Sequence, residues 1–83
     1  VIKMEPQNFM AIYNRALLHD KTGNLRAAIA DYSQVINQFP NFWAGLSNRA
    51  RCYRRLGMTA KAELDEFRIF KAQMDKRIGG QRR

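Results

Sequence analysis

The sequence predicts an all-α chain of antiparallel helix–turn–helix repeats, about four helices after a short N-terminal stub. Three observations lead there. Offsetting the 83-residue chain by 34 positions aligns nine identities within its first forty residues, where composition alone gives about two or three. They are Val1/Val35, Ile2/Ile36, Pro6/Pro40, Asn14/Asn48, Arg15/Arg49, Ala16/Ala50, Gly23/Gly57, Ala28/Ala62 and Asp31/Asp65. Similar residues fill the gaps, among them Phe9/Trp43, Ile12/Leu46, His19/Tyr53 and Lys21/Arg55. The chain is also rich in helix formers, with two prolines and five glycines that fall mostly at segment ends. Finally, its one cysteine cannot make an internal disulfide, which removes the small disulfide-stapled scaffolds.

Each element follows from local signals. A first helix spans about residues 8–21, with Phe9, Ile12, Ala16 and His19 on one face. Thr22-Gly23-Asn24 breaks it: Gly23 suits a left-handed C-terminal position, and Asn24 is a natural cap for the next helix. The second helix, about 25–38, carries Ala28, Ile29, Tyr32, Val35, Ile36 and Phe39 in one stripe of helical period. Pro40 ends it, because the proline ring disfavours helical geometry in the preceding residue. Asn41 is placed to cap a third helix, about 42–56, which Gly57 closes. Thr59 opens a fourth, about 60–77, whose apolar stripe reads Ala60, Leu64, Phe67, Met74 and Ile78. Residues 79–83, Gly-Gly-Gln-Arg-Arg, read as a flexible basic tail. Ala16, Ala28, Ala50 and Ala62 stand where antiparallel helices cross, and a larger side chain there overpacks the contact.

A 34-residue period, paired helices, a small residue in the first helix, alanine in the second and a closing proline together resemble the tetratricopeptide repeat. In the first unit Ile12, Ala16, His19, Ala28, Tyr32 and Pro40 occupy the motif's Trp, Gly, Tyr, Ala, Phe and Pro positions; in the second, Leu46, Ala50, Tyr53 and Ala62 do so. Gly23 and Gly57 mark the matching turns. Arg15 and Arg49 depart from the pattern, standing where it has leucine, and Glu66 and Met74 replace its aromatic and its proline. The organisation this implies is a remnant of a preceding repeat at 1–7, one repeat at 8–41, and a second at 42–78 whose polar last helix caps an α-solenoid. Stacked repeats generally need three or more units, so the chain is expected to be the C-terminal piece of a longer array. Its own N-terminus is then absent, and Val1, Ile2 and Met4 at the open end are candidates for self-association.

Charge narrows the partner. Fifteen Lys and Arg stand against seven Asp and Glu, a net +8. Residues 1–48 hold four basic against three acidic groups, and residues 49–83 hold eleven against four. Such asymmetry points to an acidic partner met by the C-terminal half. The resemblance implies a non-enzymatic scaffold that holds a partner segment in a concave groove lined by the first helices of successive units. Helical spacing puts Met10, Tyr13, Asn14, Leu17, Asp20 and Lys21 on that side in unit one. In unit two it puts Ala44, Ser47, Asn48, Arg51, Arg54 and Arg55 there. Arg51 and Arg55 are one turn apart with Arg54 beside them, so three guanidinium groups are expected to converge on carboxylates, while the asparagines bond peptide backbone.

The alternative is RNA or another polyanion on the basic surface. That reading wants exposed aromatics among the basic groups, yet the periodicity assigns Trp43, Tyr53, Phe67 and Phe70 to the interior and leaves Tyr13 as the exposed ring. Catalytic chemistry finds no footing. One histidine and one cysteine make no metal set, and His19 and Cys52 align with the packing residues Tyr53 and Leu18. Glu63 and Glu66 read as a solvated helix face, so catalytic residues, metal and cofactor are all expected to be none. No apolar run is long enough to span a membrane. The lone cysteine favours the cytoplasm without fixing it.

Overall fold

A computed structural model describes residues 5–81, with side chains for Glu5 and residues 7–75. Four helices follow one another: α1 Pro6–Lys21, α2 Leu25–Gln38, α3 Trp43–Arg55 and α4 Thr59–Gln81. Each packs on the next, α1 on α2, α2 on α3 and α3 on α4. The chain is therefore two antiparallel hairpins side by side, and no strand occurs among the described residues.

The two turns are built alike. Gly23 and Gly57 take φ of +88° and +79°, the left-handed region that lets a helix end and the chain reverse. Asn24 N–H reaches back to the His19 carbonyl at 2.8 Å, and Met58 N–H to the Tyr53 carbonyl at 2.8 Å, one period later. The caps differ from sequence expectation. Asn24 precedes α2, but its amide bonds Thr22 rather than the helix N–H groups. Asn41 does not cap α3: Phe42 is the residue before it, with no side-chain cap bond. The Phe42 ring instead lies edge-on to Phe9 and Tyr13, and that packing fixes the entry of α3.

Two repeat-equivalent prolines sit differently. Pro40 lies in the turn between α2 and α3, whereas Pro6 begins α1, where its missing N–H has no helical partner to lose. Residues 1–4, the expected self-association end, lie outside the described residues, as do Arg82 and Arg83. Helix α4 continues through Gly79 and Gly80 to Gln81, so those glycines lie in its last turn.

Small residues are among the most deeply buried. Ala16, Ala28 and Ala62 are fully buried and Ala50 nearly so, beside Tyr32, Val35, Ile36, Leu46 and Cys52. Phe9, Tyr13, Phe39 and Phe42 close one end of this core with centroid separations of 4.9–5.2 Å for the edge-on pairs. Helix α4 corrects the sequence reading. Its covered side is Ala62, Asp65 and Ile69, while Leu64, Phe67 and Phe70 of the apolar residues face outward. An apolar period does not say which side is covered, and here alanines and a paired aspartate occupy the side against α3.

Candidate functional site

Three buried aspartates organise the polar chemistry. Asp31 and Asp65 are repeat-equivalent and hold repeat-equivalent arginines. Arg15 donates from Nε and Nη2 to the two Asp31 oxygens at 2.8 and 2.9 Å. Arg49 does the same to Asp65 at 2.8 and 2.7 Å, and adds a bond of 2.9 Å to Ser33 Oγ on α2. Each arginine links the first helix of its hairpin to the second, and Arg49 also ties the hairpins together. The departure from leucine at these positions is thus a paired one. Hydrogen bonding to the aspartates raises both arginines further above their usual pKa.

Asp20 is the third, at 6% exposure. It accepts from Tyr32 Oη at 3.0 Å within its own hairpin, and from Arg51 Nη2 at 3.0 Å and Arg55 Nη1 at 3.2 Å across the junction. Burial, then the Asp20 bond, pushes the Tyr32 hydroxyl well above the usual phenol range. In the second hairpin the equivalent positions are Arg54 and Glu66, which pair through two bonds of 2.7 Å. The Arg54 bond holds the Glu66 carboxyl below the usual carboxylate range.

The three arginines expected to converge therefore divide. Arg51 and Arg55 meet at Asp20, but Arg54 turns to α4 and Glu66. Tyr13 is not the exposed ring. It is half-buried between Phe42 and Tyr32, and its oxygen accepts from Asn48 Nδ2 at 3.1 Å. Phe39, Trp43, Phe67 and Phe70 are the exposed rings among the described residues instead. Asn14, Lys21 and Ser47 are exposed with no partner among the described residues, and Leu17 packs partly on the core.

What remains together is a hollow of about 290 Å³ lined by Leu17, Asp20, Lys21 and Arg51, adjoined by one lined by Asn14, Leu17, Leu18 and Lys21. Arg51 and Arg55 keep side chains 55% and 49% exposed, and each spends one N–H group on Asp20. A guanidinium has five, so most donors still point to solvent. The sequence shows Asp20 on this face without saying which cations it would meet. Its one hint lay in the repeat: Asp20 and Arg54 are opposite charges at one repeat position.

The lone cysteine and histidine lie in or beside the core. Cys52 is fully buried, and burial pushes its thiol up to about 11. His19 is half-buried with Nε2 4.0 Å from Asp31. No group of three or more His, Cys, Asp or Glu able to hold a metal ion occurs among the described residues. No helix among them is long and apolar enough to cross a membrane.

Residues 10–41 match the family model of the Tetratricopeptide repeat. The match covers the first unit of the 34-residue period and ends where α3 is about to begin. No curated protein and no solved structure matches the chain.

Proposed function

Because the chain carries a tetratricopeptide repeat, the unit of a generally non-enzymatic protein-interaction module, we propose that its α1–α3 face holds an acidic segment of a partner protein. The observation that carries this reading is the pair Arg51 and Arg55, steadied by Asp20 and still half exposed. With Lys21 beside them, the face sets three cations against one buried carboxylate. A guanidinium pre-placed by an internal bond loses less freedom when it meets a ligand carboxylate. Leu17 supplies apolar floor, while Asn14 and Ser47 offer donors and acceptors to an extended backbone.

The test is a titration of a fluorescent peptide rich in Glu and Asp against the whole chain. Glutamine replacements are the right variants, since glutamate at these positions would stand against Asp20 and confuse folding with binding. The double variant Arg51→Gln, Arg55→Gln should bind at least about tenfold more weakly with helicity kept. Equal affinity refutes the reading.

A second reading has its own support. Phe67 and Phe70 are exposed on α4, with Arg68 and Lys71 interleaved, the pattern that suits stacking of single-stranded RNA. A steep, sequence-independent fall in RNA affinity between about 50 and 200 mM salt, unaffected by the Arg51 and Arg55 changes, would favour it over the acidic segment.

A further inference from the structure

The charge around Asp20 does not balance. Arg51 Nη2 and Arg55 Nη1 bond one oxygen each of the same carboxylate, at 3.0 and 3.2 Å, so their guanidinium groups stand side by side. Lys21 lines the hollow that Arg51 and Asp20 also line. Three cations against one buried carboxylate leave a surplus of two positive charges here.

Other acids do not cancel it. Asp31 is taken by Arg15, Asp65 by Arg49 and Glu66 by Arg54, each through two bonds. Among the described residues, Asp20 is the one carboxylate that pairs with Arg51 or Arg55.

The size and shape of the surplus say which anion fits. A single carboxylate cancels half of it. Two glutamates carry enough charge, but on separate side chains that cannot both reach one point. A phosphate monoester carries about −1.5 to −2 at neutral pH and presents three acceptor oxygens on a single centre. Each guanidinium spends one N–H group on Asp20 and keeps others to donate. The hollow, about 290 Å³, has room for such a side chain, with Leu17 as its apolar wall.

Resting on the acidic-segment reading, we infer that the segment's anchoring residue is a phosphorylated serine or threonine. Its phosphate lies against Arg51, Arg55 and Lys21, on the solvent side of Asp20. Phosphorylation of the partner then switches docking on.

The test titrates the whole chain with the acidic peptide made in three forms. One central position holds phosphoserine, one glutamate, or two adjacent glutamates that match the phosphate's charge. The phosphoserine form should bind about tenfold or more tightly than either of the others. Arg51→Gln with Arg55→Gln should remove that advantage with far-ultraviolet dichroism unchanged. Lys21→Gln, at an exposed position, should reduce it severalfold. Equal affinity of the phosphoserine and double-glutamate forms, both weakened by the arginine changes, overturns the phosphate assignment and leaves the acidic-segment reading standing. A phosphoserine advantage indifferent to all three substitutions overturns the assignment as well. Single-stranded RNA that displaces the phosphoserine form as well as unlabelled phosphopeptide does, at equal phosphate concentration, also overturns it, because each phosphodiester carries one charge. Failure of every peptide form to bind removes both readings.

Discussion

Arg49 holds Asp65 through two parallel bonds of 2.8 and 2.7 Å, and Arg15 holds Asp31 the same way one repeat earlier. The environments differ. The Arg49 side chain is 14% exposed and the Arg15 side chain 59%. Water can therefore take over from Arg15, whereas Asp65 would be left without a partner.

Replacing Arg49 by leucine should destabilise the chain by about 3 kcal/mol or more, and Arg15→Leu by clearly less. The double change Arg49→Leu, Asp65→Leu should regain much of the loss, since neither charge is then stranded. Chemical denaturation of the four chains checks this. Equal losses at Arg15 and Arg49 would contradict the burial argument.

Ala50 is 2% exposed in α3. Leucine there overpacks the crossing by roughly 1–3 kcal/mol and should lower the thermal midpoint by roughly 5–20 °C. The exposed Ala44 on the same helix is the control, and Ala44→Leu should change little. An unchanged midpoint for Ala50→Leu would contradict the packing described for α3.

Asp20 serves stability and binding together. Asp20→Asn weakens the bonds to Tyr32, Arg51 and Arg55, and should lower stability by about 1–3 kcal/mol. The same change loosens the hold that pre-places the two arginines, so an acidic peptide should bind severalfold more weakly. Calorimetric unfolding and peptide titration read the two effects independently, and unchanged or tighter binding by a folded variant would contradict the role given to Asp20.

Much of the fold was legible because the chain states it twice. Identical residues at Gly23 and Gly57, and at Ala16 and Ala50, locate both hairpins without help from any single helix's periodicity. The same comparison displayed Arg15/Arg49 and Asp31/Asp65 side by side, yet a pairing sixteen residues apart across two helices is visible only once the hairpin is closed. The open side of α4 was illegible for a different reason. Alanine and aspartate on the covered side leave the phenylalanines as the apparent core stripe, and only contact with α3 distinguishes the sides. The site was half legible: Arg51 and Arg55 lie together on their helix, but which carboxylates take them, and that Arg54 leaves them for Glu66, depends on tertiary placement.

Cys52 sets an alkaline limit. Burial raises its thiol from an ordinary value near 9 to about 11, so the folded chain keeps it neutral where the unfolded chain ionises it. The stabilisation is whole below about pH 9 and is lost as pH rises from there through about 11. Tyr32, buried as a neutral phenol, acts in the same direction. Cys52→Ala should therefore lose less stability between pH 8 and about 11 than the wild type, measured by denaturation at each pH. Parallel loss in both chains would contradict the assignment to the thiol.

The most direct test of the acidic-segment site is nuclear magnetic resonance of the arginine Nε–H and backbone amide groups during titration with the acidic peptide. The account predicts the largest shifts at Leu17, Lys21, Arg51 and Arg55, with Arg15 and Arg49 still. Shifts centred on Lys61 and Arg68 of α4, or none on the α1–α3 face, would contradict it.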